Sequence, residues 1–295
     1  MLGLRIIILT LLALGAFAAN SILCRLALLH GYIDPVAFTQ IRLVAGALIL
    51  FPAMVRDRSS WWPLRPAMVR PALALFLYAT GFSLAYVSLS AGTGALILFA
   101  AVQVSMIALS VLRGARPGLA EWIGFSIAFG GLVYLVAPGL SAPPLGAALL
   151  MAGAGVAWGI YSVLGRNESD PIAATARNFV FTVPLAVLLT FASPAVVHVS
   201  MNGILLAAAS GAITSGLGYV AWYAALKGLP AMAASVVQLA VSPIAALGGI
   251  LFLSEIFTLR LGVASVAILG GIFLAIWSGA RGAANQVAGP SRMSR

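Results

Sequence analysis

A chain of 295 residues with 62% hydrophobic and only 7% charged side chains carries too little charge to keep a water-facing surface wet. Its mean hydropathy is +1.11, which excludes a soluble globular domain and points to a polytopic membrane protein. The net charge of +10 raises nucleic acid as a partner, but the placement of those charges assigns them to membrane topology.

An apolar run of about 20 residues is what an α-helix needs to cross a hydrocarbon core of about 30 Å. Ten such runs follow one another, at 4–29, 35–55, 71–90, 92–113, 119–137, 144–165, 171–192, 202–226, 231–253 and 259–279. The first contains Ala16-Phe17-Ala18 behind an early Arg5, a pattern like a cleavable leader. The segment has a partner in mid-chain, so a retained helix is expected. Cys24 is the single cysteine, which leaves no disulfide framework. Asp34-Pro35 opens the second run and Asp170-Pro171 the seventh. Asp accepts bonds from free N–H groups at an N-cap, and Pro suits the first helical position. The longest polar interruption is 56–70. Pro184 and Pro243 each free a backbone carbonyl and predict a kink or hinge. The segment 281–295 is rich in Gly, Ala and Ser, is basic, and is expected to be a disordered cytoplasmic tail.

With ten spans both termini lie on one side. That side collects Arg5, Arg56, Arg58, Arg65, Arg70, Arg113, Arg116, Arg166, Lys227, Arg281, Arg292 and Arg295, against Arg260 alone on the other. By the positive-inside rule both termini are cytoplasmic, and the basic side attracts anionic inner-leaflet lipid.

Sliding the chain by about 140 residues lays Phe17–Arg25 (FAANSILCR) on Trp158–Arg166 (WGIYSVLGR), Asp34-Pro35 near Asp170-Pro171, and Gly131 on Gly271. Each half then holds five spans, 1–140 and 141–280. Five is odd, so the second half enters from the opposite side. The expected fold is all-α: ten transmembrane helices in two inverted five-helix repeats, an architecture common in secondary transporters. Gly155 and Gly159, Gly211 and Ser215, Gly124 with Gly130 and Gly131, Gly248 and Gly249, and Gly270 and Gly271 are small residues that let helices approach in lipid.

There is no HExxH, no Cys/His cluster and no P-loop, so neither metal, cofactor nor ATP hydrolysis is expected. The six acids, Asp34, Asp57, Glu121, Glu168, Asp170 and Glu255, all lie at or near span ends. Proton-driven carriers usually hold a carboxylate or His at depth. Facilitated movement is therefore favoured over proton coupling.

Polar and aromatic side chains recur in mid-span at helical spacing. They are Tyr78, Phe82 and Tyr86; Phe99, Gln103, Met106 and Ser110; Trp158, Tyr161 and Ser162; Thr214, Ser215, Tyr219, Trp222 and Tyr223; and Ser235, Gln238 and Ser242. A Gln amide facing lipid leaves donors and acceptors unsatisfied, so Gln103 and Gln238 should face protein or water. Tyr78, Phe82, Phe99, Gln103, Trp158, Tyr161, Tyr219, Trp222, Gln238 and Ser242 form the candidate substrate site, with plain helix packing as the alternative for each. Trp61, Trp62, Trp122 and Trp277 suit an interfacial belt. Asn20 and Asn178 are interhelical glue or ligand contacts. Arg42 and Arg177, about two turns into their spans, are expected to snorkel or to cap rather than to meet an anion.

Ten spans, a five-plus-five repeat, a short loop between spans 3 and 4, and the Pro243…Glu255 stretch closing span 9 resemble the drug/metabolite transporter superfamily, EamA-type. Within it the chain is similar to the YddG-type exporters of aromatic and other amino acids. The resemblance implies a multi-pass exporter of the bacterial inner membrane with a central cavity between the halves, lined largely by spans 1, 3, 4, 6, 8 and 9. Ala115 stands about where Glu255 would repeat, so the family's Glu pattern is present in one half only. An aromatic, neutral-polar lining suits zwitterionic amino acids. The expectation is an exporter of amino acids and related small metabolites, a monomer or weak homo-oligomer, working by alternating access. A drug or nucleotide-derivative carrier, a membrane-embedded enzyme and a passive channel or scaffold are the alternatives.

Overall fold

The computed structural model describes residues 2–56, 68–112, 114, 117–139, 142–165, 168, 170–192, 198–229 and 231–288. Its helices are α1 (Leu2–Leu29), α2 (Pro35–Arg56), α3 (Val69–Tyr86), α4 (Ala91–Leu112), α5 (Leu119–Val136), α6 (Leu145–Gly165), α7 (Pro171–Ala192), α8 (Met201–Ala209), α9 (Gly218–Leu226), α10 (Ala231–Gln238), α11 (Val241–Leu253) and α12 (Leu259–Ala288). Between α8 and α9 runs a π-helical segment, Ser210–Leu217, so α8, this segment and α9 form the eighth span. The ninth span is α10 with α11. Ten helical stretches among the described residues are long and apolar enough to cross a bilayer, matching the ten read from hydropathy. Residues 57–67, among them Trp61 and Trp62, and Arg113, Ala115, Arg116, Arg166 and 289–295 lie outside the described residues, as do the side chains of Ser110, Ser235 and Arg281.

The two Asp-Pro starts behave alike. Asp34 Oδ1 accepts from the N–H groups of Val36 and Ala37, both at 2.9 Å. Asp170 Oδ1 accepts from Ile172 at 3.0 Å and Ala173 at 3.1 Å. Each carboxylate satisfies donors that the first helical turn cannot pair internally. The third helix ends at Tyr86, short of the expected 90, because Ser90 instead starts α4: its hydroxyl accepts from Thr93 N at 3.3 Å.

Pro243 acts as expected. Without an N–H it cannot bond the Leu239 carbonyl, which accepts from Ser242 N at 3.3 Å, and the span breaks between Gln238 and Val241. Pro184 does not break α7, which runs unbroken to Ala192. At the chain's other end α12 continues to Ala288, past the point where the sequence placed the start of a structureless tail.

Leu112, Phe191 and Leu259 are more than four-fifths exposed on the outer surface, whereas Arg42, Tyr86, Tyr161 and Tyr219 are fully buried. That inversion suits a solvent of acyl chains. Of α4's most apolar residues 67% are buried, against 22% for α5, so α4 is central and α5 peripheral.

The pairings reveal the repeat. The second span packs on the seventh, the fourth on the ninth and the fifth on the tenth. The third packs on the sixth as the eighth does on the first, and the fourth on the sixth as the ninth does on the first. Exchanging each span with the one five places later returns the same set. This is the two-repeat, ten-helix fold, and its halves meet along all three self-paired seams.

Close approach makes those seams. A Cβ on Gly124 would sit 2.5 Å from the Gly271 carbonyl oxygen, and one on Gly271 equally close to the Gly124 carbonyl oxygen. Gly155 rests against the Leu98 carbonyl and Gly211 against that of Arg42. Gly130 and Gly270 meet nothing within 4 Å, so they do not belong to the packing set the sequence suggested.

Candidate functional site

Where the two halves meet, rings from α1, α3, α4, α6 and α9 gather around one point. Phe17 meets Trp158, Tyr219 and Trp222 edge-on at 6.0, 5.9 and 5.7 Å between centroids. Trp158 lies 4.9 Å from Tyr78, 4.8 Å from Tyr219 and 5.4 Å from Tyr161. Tyr78 lies 5.4 Å from Phe82. Tilted and edge-to-face geometries are those that aromatic quadrupoles favour. Phe17, Asn20, Tyr78, Phe82, Leu98, Phe99, Trp158 and Tyr219 enclose a chamber of about 10 Å³. That is room for one water at most, far below the volume of a ligand pocket. The chamber is closed.

A polar network runs along one wall. The Asn20 carbonyl oxygen accepts from Ser210 Oγ at 2.6 Å and Thr214 Oγ1 at 3.1 Å, while its amide donates to the Tyr78 hydroxyl at 3.3 Å. Arg42 donates from Nη2 to the same hydroxyl at 3.2 Å and from Nε to Ser215 Oγ at 3.2 Å. Its guanidinium carbon lies 4.8 Å from the Phe82 ring centroid and 5.1 Å from that of Tyr78. Ser210, Thr214 and Ser215 all belong to the π-helical segment, where Gly218 N donates to Ile213 O five residues back. Such segments often mark functional sites. Here Gly211 lets the segment rest on the Arg42 backbone.

The two ends of the bundle differ. At the end opposite the N-terminus, Arg25 Nε lies 3.4 Å from Glu255 Oε1, and its Nη1 donates to the carbonyls of Tyr86 (3.0 Å) and Val87 (2.9 Å). Glu255 accepts from Ala91 N at 3.0 and 2.9 Å. One ion pair thus caps the C-terminus of α3 with a cation and the N-terminus of α4 with an anion, the signs the helix dipoles favour. Burial pushes the Glu255 carboxyl above the usual carboxylate range, against the smaller opposing pulls of the Ala91 N–H and Arg25. At the N-terminal end a cleft of about 350 Å³ opens between α1, α7 and α9, with Arg5, Lys227 and Tyr223 on its walls.

Of the candidate residues, Tyr78, Phe82, Phe99, Trp158 and Tyr219 line the chamber, and Tyr161 and Trp222 pack against its rings. Gln103 and Gln238 are buried in protein, as their amides require, but neither lines the chamber. Ser242 lies elsewhere: it donates to the Ala95 carbonyl at 3.3 Å and lines an apolar groove of about 250 Å³ with Phe257 and Leu261. The ninth span breaks after Gln238, and neither Gln238 nor Ser242 is among the residues that line the chamber. Phe17 and Asn20 are added to the lining; Asn20 both binds helices together and faces the chamber. Arg177 pairs with Glu168 at 2.8 Å, toward the span's end. Arg42 overturns the snorkelling expectation: it is 1% exposed and turned into the bundle, so the site is not uncharged. Trp122 and Trp277 are exposed on the outer surface, consistent with a belt.

Residues 145–277 match the EamA-like transporter family. The chain is 49% identical over 270 residues to an uncharacterized protein of Pseudomonas aeruginosa, covering 92% of this chain and 94% of that one. It is 27% identical to an uncharacterized transporter of Archaeoglobus fulgidus, over 83% of this chain and 90% of the other. It is also 27% identical to the uncharacterized inner membrane transporter YedA of Escherichia coli, over 48% and 47% respectively. A solved crystal structure shares the fold with a TM-score of 0.66 at 19% identity, covering 92% of this chain and 99% of that one. With ten spans, a two-repeat helix pairing and these relatives, the chain belongs to the EamA-like transporter family.

Proposed function

We propose that this transporter exports amino acids with aromatic or neutral side chains, and related small metabolites, by alternating access. The observation that carries the reading is the closed, ring-lined chamber at the seam of the halves, latched at one end and cleft at the other. Trp158, Tyr78, Phe99 and Tyr219 offer faces to an apolar side chain; Asn20, Ser210 and Thr214 offer hydrogen bonds to its polar end. Movement of one half against the other would open the chamber to each side in turn. The end with the cleft is the cytoplasmic one in this reading, with both termini there. Among the described residues every carboxylate serves a helix start or an arginine near a span end, which supports facilitated rather than proton-driven flux.

Counterflow of labelled amino acids in proteoliposomes, with and without an imposed pH gradient, tests this. Saturable exchange without the gradient is expected; flux that needs the gradient would contradict it. Trp158→Ala removes a ring shared by Phe17, Tyr78, Tyr161 and Tyr219, each pair contributing about 0.5–1.5 kcal/mol. If one such contact is made to cargo, exchange per folded molecule should fall about tenfold. Wild-type exchange in a well-folded Trp158→Ala protein would remove the ring from the site. Arg5 and Lys227 in the cleft favour a second reading, a carrier of nucleotide derivatives. Competition by nucleotides in the same assay separates the two.

A further inference from the structure

Among the described residues Arg42 is a buried cation without a counter-charge. Two ion pairs are formed among the described residues, and neither includes it. Asp34, Glu121 and Asp170 cap helix starts, Glu168 and Glu255 are held by other arginines, and Asp57 lies outside the described residues. Nε and Nη2 meet neutral hydroxyls, and Nη1 has no hydrogen-bond partner among the described residues. A charge at bilayer depth is costly, and in structural roles it is normally paired. This one sits one side chain behind the chamber, sheathed by the rings of Tyr78 and Phe82, both of which line it. Tyr219, on the same wall, also carries a buried hydroxyl with no hydrogen-bond partner among the described residues. The site is short of an acceptor, and a ligand anion would supply one.

We propose that Arg42 is the anchor for an ionised carboxylate on the cargo, so that the substrates are carboxylates with an apolar or aromatic body. The inference rests on the transport reading above. A guanidinium presents a planar fork matched to carboxylate geometry. When the chamber opens, the carboxylate takes Nη1 and displaces the Tyr78 hydroxyl from Nη2, while the body lies among Phe99, Trp158 and Tyr219. A single guanidinium amid neutral Asn, Ser, Thr and Tyr groups balances one negative charge, which suits a carboxylate better than a phosphate dianion. Amines and carboxamides of the same shape leave the charge unmet.

The test uses the full chain in proteoliposomes with labelled phenylalanine, competed by unlabelled phenylalanine, 3-phenylpropionate, phenylalaninamide and phenethylamine. A thermal-shift measurement with the same compounds runs alongside. The two carboxylates should compete at least about tenfold better than the amide and the amine, the difference made by a charge-assisted bond. Arg42→Gln should lose exchange by at least about tenfold and lose the carboxylate-induced thermal shift, while Arg42→Lys keeps part of both. Because Arg42→Gln removes an unpaired buried charge, its unliganded Tm should hold or rise; a residue needed only for structure would lower it. Amide and amine competing as well as the acids, or wild-type exchange by Arg42→Gln, overturns the anchor and leaves the carrier reading standing. A thermal shift by carboxylates that needs Arg42, with no counterflow, keeps the anchor and sinks the carrier reading. No shift and no exchange overturns both.

Discussion

Gly271→Leu should abolish accumulation of folded protein, whereas Gly270→Leu, one residue away, should leave it intact. At Gly271 a new Cβ would lie 2.5 Å from the Gly124 carbonyl oxygen and 2.6 Å from the Ala128 nitrogen. Both obstacles are backbone, which cannot rotate aside as a flexible side chain can. Overpacking a well-filled interface costs about 1–3 kcal/mol, and more where nothing yields. Glycine's intrinsic helix penalty of about 1 kcal/mol acts in the opposite direction and is too small to rescue the variant. In lipid the loss is sharper, because no hydrophobic drive holds helices together once close packing fails. Gly270 has open space beside it and isolates the propensity effect. Size-exclusion profiles and Tm in detergent read both variants. Equal behaviour of the pair would mean that the α5–α12 seam is not the tight joint described above.

The contrast between these neighbouring glycines marks the limit of what the sequence discloses. Hydropathy and length gave all ten spans because the bilayer imposes both. The Asp-Pro starts were legible because capping is local chemistry, and their duplication signalled the repeat. Which side of a helix faces inward was harder. The apolar residues of α1 are spread around the helix, so Phe17 shows no facing stripe, and its place among the rings depends on α6 and α9. Arg42 was read by depth alone; its partners Tyr78 and Ser215 come from helices distant in sequence, and only their convergence turns the guanidinium inward. The π-helical segment carries no propensity signal, and the approach of Gly211 to the Arg42 backbone joins residues far apart in sequence. Gln238 and Ser242 shared a stripe only while the ninth span was read as one straight helix.

Glu255→Ala should open the latched mouth, while Glu255→Gln should leave it shut. The carboxylate does two jobs: it accepts from the Ala91 N–H at the start of α4 and it pairs with Arg25. Alanine removes both. A lost cap costs about 1 kcal/mol, and a partly exposed pair at most about another. Together they are comparable to the few kcal/mol that separate conformers of a carrier, enough for a shift of about tenfold or more. The charge itself contributes less than the hydrogen bonds. Burial raises the Glu255 carboxyl above its ordinary range in the latched form, so the proton binds more tightly there than in an open, hydrated mouth. The latched form therefore gains as pH falls through that raised range and loses the gain as pH rises past it. Glutamine resembles the protonated acid and keeps an oxygen for Ala91. The native Cys24 reports the outcome: it is fully buried beside Arg25, so a membrane-impermeant maleimide should react slowly with the wild type and Glu255→Gln, and at least about tenfold faster with Glu255→Ala. Acidification should slow labelling of the wild type more than that of Glu255→Gln, whose rate follows the thiol chemistry alone. If Gln opens the mouth as widely as Ala, ionic attraction rather than hydrogen bonding holds it, and the pH effect must reverse.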